Sequence, residues 1–363
     1  MQNIKKERMA LEQNAPHTVG EQSIRLPVPI FLRNSASVVG TKEAQGPLGE
    51  MFDVKGGDDM FGAKTWEAAE SAMQKKALQL AVKKAGLQMT DIRYVFAGDL
   101  LGQSIASSFG LEQFERPHFG LYGACSTSGL SLMLAAMVIG GGFADCAACV
   151  TSSHFASAEK EFRFPLAYGN QRPLSASWTV TGSAAFVLTG PGKIDVDGSE
   201  PCIHARAQIT ALTPGRIVDS GLKDSMNMGG CMAAAAADTI FHHLQDFDRK
   251  PQDYDRIITG DLGMVGRQAL IDLLKQKGYD ISQNHMDCGI EIFDGKTQDT
   301  HAGGSGCGCA AVVLSACILK QIEEKKWKRV LFVPTGALLS KTSFNEGQNV
   351  PGIAHGVVLE GVY

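Results

Sequence analysis

Cys125 is the residue of this sequence best placed to do chemistry. It stands in Gly123-Ala-Cys-Ser-Thr-Ser-Gly-Leu, after the apolar stretch Phe119–Tyr122 and before a long run of helix formers. A helix start carries unpaired N–H groups and the positive end of the dipole, which favours a thiolate. Such a thiolate can attack a thioester and hold an acyl group while backbone N–H groups stabilise the oxyanion. The plain alternative is a small buried core cysteine. The other cysteines invite a metal reading less. Cys146-x-x-Cys149 is half of a zinc motif, but Cys307-x-Cys309 has the wrong spacing to complete it, so both pairs are expected in the core and no metal site is expected. Nine cysteines, an odd number set mostly in apolar runs, point to free thiols in a reducing compartment.

The elements that position Cys125 repeat along the chain. Ile92–Leu100 reads IRYVFAGDL and Tyr254–Leu262 reads YDRIITGDL. A helix precedes each copy. Over Thr65–Gly86, Trp66, Ala69, Met73, Ala77 and Leu80 fall on one face, and Gly86 is a suitable stop. In the second half the alanine run from Met232 leads to Phe241 and Leu244, where His242 and His243 are expected on an exposed face. A glycine-containing turn that opens a small-residue helix follows each copy, at Gly123 and at Gly303. A strand with a threonine or serine loop comes next, over Ala147–Ser153 and Val330–Ala337, and an apolar strand closes each half, Gly182–Leu188 and Gly352–Glu360. Five elements in the same order predict two like-folded α/β halves, with helices sandwiched between two mixed sheets. Asp99 and Asp261, in the equivalent Gly-Asp-Leu turns, read as turn residues.

Composition narrows the function. A formal charge of −4, with no dense basic cluster, gives no reason to expect nucleic acid. With 44% hydrophobic and 20% charged residues the chain is supplied for a large core. Met1–Ser23 is polar and holds no apolar stretch of the signal-peptide kind. The longest apolar runs, around Leu130–Ile139 and Ala310–Leu319, are about ten residues, half of a bilayer crossing. Any membrane role is expected to be peripheral.

Gly-Ala-Cys-Ser-Thr opening a helix in the first of two α/β halves resembles the thiolase and ketoacyl-synthase superfamily. The turn His301-Ala-Gly-Gly-Ser-Gly-Cys resembles the loop in which thiolases place a catalytic histidine. Within the superfamily the chain is similar to the stage V sporulation AD family of endospore-forming bacteria. The strings that carry this include Ser35–Gly49 (SASVVGTKEAQGPLG), Ala97–Leu101, Gly123–Ser128, Phe162–Gly182 (FRFPLAYGNQRPLSASWTVTG), Ala302–Cys309 and Ile353–Val358. The resemblance implies a thiolase-like, internally duplicated five-layered α-β-α-β-α sandwich. It places a polar extension over residues 1–34, a first half over 35–200 and a second over 201–363. It also implies a non-catalytic role: binding dipicolinate (pyridine-2,6-dicarboxylate), with or without calcium and with no cofactor, as a soluble subunit of the channel that moves this acid into and out of the spore. The implied partners are the other stage V sporulation A proteins at the spore inner membrane, and a second copy of the chain.

The departures from the superfamily are chemical. Where condensing enzymes carry a histidine after the second-half strand, this chain reads Thr259-Gly-Asp-Leu-Gly, with Asp261 at that place. An ionised carboxylate only accepts hydrogen bonds and cannot replace an oxyanion donor, a loss of about 10²–10³ in rate. No asparagine lies in Gly303–Gly306, and near the C-terminus His355 stands where thiolases need a second cysteine. No catalytic set is therefore expected, although His301 remains a candidate base for Cys125. Cys125, Ser126, His154, Asp261, His301, Ser305 and His355 are expected to line a cleft between the halves, where two helix starts present N–H donors to carboxylates. Arg163 or Arg172 would add a bidentate contact, or hold loops instead. Two other functions compete: acyl transfer through Cys125, and a purely structural role in assembly.

Overall fold

The structure, a computed structural model, describes residues 17–101, 103–162, 171–192, 195–196, 201–202 and 205–362. The first half supplies strands β1 (Ser23–Val39), β2 (Tyr94–Asp99), β3 (His118–Gly120), β4 (Cys146–Ser153) and β5 (Gly182–Thr189). The second supplies β6 (Ala207–Thr213), β7 (Arg256–Thr259), β8 (His285–Asp287), β9 (Arg329–Val333) and β10 (Gly356–Glu360). Their orders match position by position: β3-β2-β4-β5-β1 in one half and β8-β7-β9-β10-β6 in the other. Directions match too. The three outermost strands of each half run parallel, and the two inner ones join antiparallel. The repeated strings are β2 and β7.

The expected two sheets are hydrogen-bonded into one path. The long strand β1 pairs with β5 along Phe31–Val39 and with β6 at Ile24–Arg25 and Ile30–Leu32. Between those two stretches the register with β6 shifts, and Pro27 and Pro29 lie there. Proline has no N–H to give a ladder, so the strand bulges and bends at this point. The expected polar extension over residues 1–34 therefore overlaps the sheet, which begins with the short strand Thr18–Val19 paired to Ser23–Ile24.

Alternation along the strands sets the layers. Ala185 and Val187 of β5 face α1 (Trp66–Lys84), where Met73, Ala77, Leu78 and Ala81 cover the first half. Thr65 caps that helix on Ala68 N–H at 3.2 Å, and Gly86 ends it at φ +69°. Leu331, Val333 and Val358 face α3 (Met228–Asp246) and α4 (Gly263–Gln276) on the opposite outer side. The remaining alternate residues, Phe186, Leu188, Phe332 and Val357, enclose α2 (Thr127–Gly140) and α5 (Cys307–Val313). Helices that meet a sheet on both sides must be apolar nearly all round, as Leu130–Ile139 is. Five layers result. Contrary to expectation, His243 is buried: Thr213 Oγ1 meets its Nδ1 at 2.7 Å, and burial takes its pKa down to about 3. Among the described residues no helix is long and apolar enough to cross a membrane.

Candidate functional site: a cleft between two helix starts

The turn that presents Cys125 is strained and locked from within. Ala124 stands at φ +49°, a conformation unfavourable for a side chain. Three bonds pin it. Ser126 Oγ donates to Gly123 O (2.7 Å), Thr127 Oγ1 donates to Ala124 O (2.7 Å), and Gly123 N–H donates to Thr127 Oγ1 (3.1 Å). Ser126 is thus spent on positioning Cys125 and does not line the cleft. Backbone from both halves closes around this turn. A Cβ on Gly98 would lie 2.2 Å from Leu121 O, and one on Gly336 would lie 2.3 Å from Gly123 O. Only glycine permits either approach.

The second glycine turn is pressed against the first half in the same way. Gly306, at φ +101°, caps α5, and a Cβ there would meet Ser153 Oγ at 2.6 Å. Ahead of it, Gly304–Ser305 pairs in parallel with Trp178–Thr179 of the first half, and Val180 N–H donates to Ser305 O at 2.8 Å. Cys125, Ala124, Tyr122, Leu100, Ser177, Thr179, Ser305, Ala176 and Glu159 line one cleft with Ser225, Met226, Met228, Ala337 and Leu339. The cleft measures about 600 Å³ with its open mouth. Among the described residues lining it, none is Lys, Arg or His.

Asp261 ties the two helix starts together. Its Oδ2 accepts Gly306 N–H (3.0 Å), its Oδ1 accepts the Thr335 hydroxyl (2.8 Å), and its carboxyl interacts with the Cys125 thiol across the halves. Burial raises its pKa to about 7, and these three partners restrain that rise. Behind it, the Asp287 carboxylate accepts Leu262 N–H (2.9 Å), Gly263 N–H (3.0 Å) and the Thr259 hydroxyl (2.6 Å), which fixes the turn that carries Asp261. The same surroundings suppress the nucleophile. Burial first, and the Asp261 carboxyl second, hold the Cys125 thiol well above its ordinary pKa. Gly306 N–H donates to Asp261 and also favours the Cys125 thiolate, but less than burial and the carboxyl oppose it.

The three histidines expected at the cleft do not line it. His301, at φ +51°, gives Nδ1 to Pro173 O (2.8 Å) and turns Nε2 to Asp299 (3.1 Å). With both nitrogens engaged it cannot serve Cys125 as a base. His154 gives Nε2 to Asp59 O (2.8 Å), accepts Ala156 N–H at Nδ1 (3.2 Å), and packs against Trp66 and Phe155. His355 accepts Gly215 N–H at Nδ1 (3.1 Å), and burial lowers its pKa to about 4. Each satisfies nearby backbone. Arg172 holds a loop: its Nη2 bonds the Asp299 carboxylate (2.8 Å) and carbonyl (2.9 Å), and its guanidinium lies over Trp178. Arg163 lies outside the described residues. Of the expected lining residues, Cys125 and Ser305 line the cleft, with Asp261 one bond behind them. Glu159, Ser225, Met226 and Met228 carried no sequence signal of their own, whereas Tyr122 ends the apolar stretch before Cys125, and Ser177 and Thr179 lie inside the string Phe162–Gly182.

Two like halves meeting at a cysteine-bearing helix start define the thiolase-like class, and solved structures agree. The chain matches a 3-oxoacyl-[acyl-carrier-protein] synthase III from Aquifex aeolicus VF5 with a TM-score of 0.55 at 14% identity, covering 91% of this chain and 99% of that one. It matches human mitochondrial 3-ketoacyl-CoA thiolase in complex with CoA with a TM-score of 0.56 at 12% identity, covering 93% and 99%. At such identities the likeness concerns the fold. Sequence narrows the class. The profile of Stage V sporulation protein AD matches residues 20–360, and the Bacillus subtilis (strain 168) protein of that name is 43% identical over 343 residues, 94% of this chain and 97% of that one. The chain belongs to the Stage V sporulation protein AD family.

Proposed function

We propose that this sporulation protein binds dipicolinate in the cleft beside Cys125 and does so without catalysis, as a soluble subunit of the channel that carries the acid into and out of the spore. One observation carries the non-catalytic part: burial and the neighbouring Asp261, which takes the Gly306 N–H, hold the Cys125 thiol well above its ordinary pKa. A cleft of about 600 Å³, counted with its open mouth, falls in the size range of small-molecule sites. Association with the spore inner membrane would run through the other stage V sporulation A proteins. A second copy of the chain would pair along β3, an exposed sheet edge flanked by Phe119, Tyr122 and Phe143 at 46%, 41% and 73% exposure. Calorimetry with dipicolinate, with and without calcium, tests the binding. No saturable heat up to millimolar ligand would overturn it.

Acyl transfer is the second reading, favoured by the Cys125 side chain forming part of the cleft wall. Incubation with acyl-CoA followed by intact mass would show an adduct on Cys125. The high thiol pKa leads us to expect none within hours.

A further inference from the structure

We propose that Asp261 is a proton-binding subsite of the cleft, so that a carboxylate ligand enters together with one proton. This rests on the reading of the cleft as an acid-binding site. The geometry is a buried carboxyl one hydrogen bond behind the wall. It faces the Cys125 thiol, and it accepts the N–H of Gly306, the residue after Ser305, at 3.0 Å; both Cys125 and Ser305 line the cleft. An anion resting against Cys125 would therefore lie within a few ångströms of Asp261. In a low-dielectric interior two like charges at that range repel strongly, and protonating one removes the repulsion.

The groups facing Asp261 offer no other remedy. Cys125 faces it from the start of α2, and Cys307 and Cys309 from α5. Asp287 faces it from β8 and Cys288 from the short helix Cys288–Ile292 that follows. Thr335 contributes a hydroxyl from the segment after β9. His285 shares Thr259 with Asp287, but burial lowers its pKa to about 3 and keeps it neutral. His355, beyond Pro334, is neutral for the same reason. Among the described residues that face Asp261, each is neutral or acidic, and none is a cation that could offset an arriving carboxylate.

The acid is also poised to respond. Burial places its pKa at about 7, so near neutrality the proton is exchangeable. When the ligand carboxylate arrives, one proton passes from solvent to an Asp261 oxygen. No covalent bond to the ligand forms.

The test is calorimetric titration of the full chain with pyridine-2,6-dicarboxylate, free of calcium, from pH 6 to pH 9, in buffers of different ionisation enthalpy. We expect affinity to be level below about pH 7 and to fall about tenfold per pH unit above it, with close to one proton taken up per ligand on the falling limb. Asp261→Asn should flatten the profile and abolish the uptake. Thr335→Val removes a donor that favours the ionised form, so its break should move to higher pH; this variant serves if Asp261→Asn does not fold. Pyridine-2,6-dicarboxamide, a neutral analogue, should show no linkage. Binding that is intact but independent of pH, or an unchanged slope in the folded Asp261→Asn protein, would overturn the proton subsite and leave the cleft reading standing. No binding at any pH would remove both.

Discussion

Asp99 and Asp261 occupy the same place in two copies of Gly-Asp-Leu, each at the end of an equivalent strand, yet their surroundings differ. Asp99 Oδ2 accepts the Ser107 N–H (3.0 Å) and hydroxyl (2.9 Å), so it bonds within its own half and holds the short helix Ile105–Leu111. Asp261 bonds Gly306 and Thr335 of its own half and reaches the Cys125 thiol of the other. Burial raises the pKa of both. Duplication fixes where a side chain starts. What that side chain meets is decided by the interface between the halves.

The largest effect expected from breaking this comparison is on stability, at the glycines before the two aspartates. A Cβ on Gly98 would sit 2.2 Å from Leu121 O, whereas one on Gly260 would sit 3.1 Å from Pro334 Cα. Gly98→Ala should cost about 3 kcal/mol and Gly260→Ala about 1 kcal/mol, read from denaturant midpoints. Equal costs would show that the two turns are equally tight.

Next comes pH. Burial raises Glu43 and Glu70 to about 8 and Asp261 to about 7. Their folded pKa values exceed the unfolded ones, so the folded state binds more protons, and stability falls as pH rises towards the folded values. His243, His285 and His355 are depressed to about 3, 3 and 4 by burial, so their contribution is present above the unfolded value of 6.5 and is lost as pH falls. Between about pH 6.5 and pH 8 the carboxyls act alone, and the melting temperature should drop across that window. Asp261→Asn should shallow the drop near pH 7. A melting temperature that rose from pH 6.5 to 8 would contradict the burial of these acids.

Dipicolinate binding separates the two aspartates more finely. At pH 8.5, Asp261→Asn should bind the calcium-free ligand about tenfold or more tightly than the native chain, while Asp99→Asn should fall within about twofold of it. The smallest effect concerns the donors. Removing the Thr335 hydroxyl or the Ser107 hydroxyl should each cost about 1 kcal/mol of stability, but only the Thr335 change should shift the pH dependence of binding.

Much of the fold was legible because strand and helix periods and glycine turns are local signals. The two Gly-Asp-Leu strings gave β2 and β7, Thr65 and Gly86 bounded α1, and the all-apolar Leu130–Ile139 was a central helix. The join of the two sheets was not legible, since it depends on which edges of β1 and β6 meet. Pro27 and Pro29 mark that bend only once the pairing is known. At the site, Cys125 and Ser305 were legible from their glycine turns. His154, His301 and His355 were not placed correctly, because a histidine near a turn satisfies whichever backbone group lies closest, and Asp59, Pro173 and Gly215 are distant in sequence.

The sequence by itself determined the duplicated α/β halves, the cysteine at a helix start, and an aspartate where condensing enzymes carry a histidine, since all three are written in contiguous residues. Only the tertiary structure decided that this aspartate meets the Cys125 thiol and takes the Gly306 N–H, and that Glu159 faces the cleft while Arg172 turns to Asp299. Those outcomes depend on groups far apart in the chain being brought within bonding distance, some within one half and some across the two. No local pattern along the chain encodes that approach.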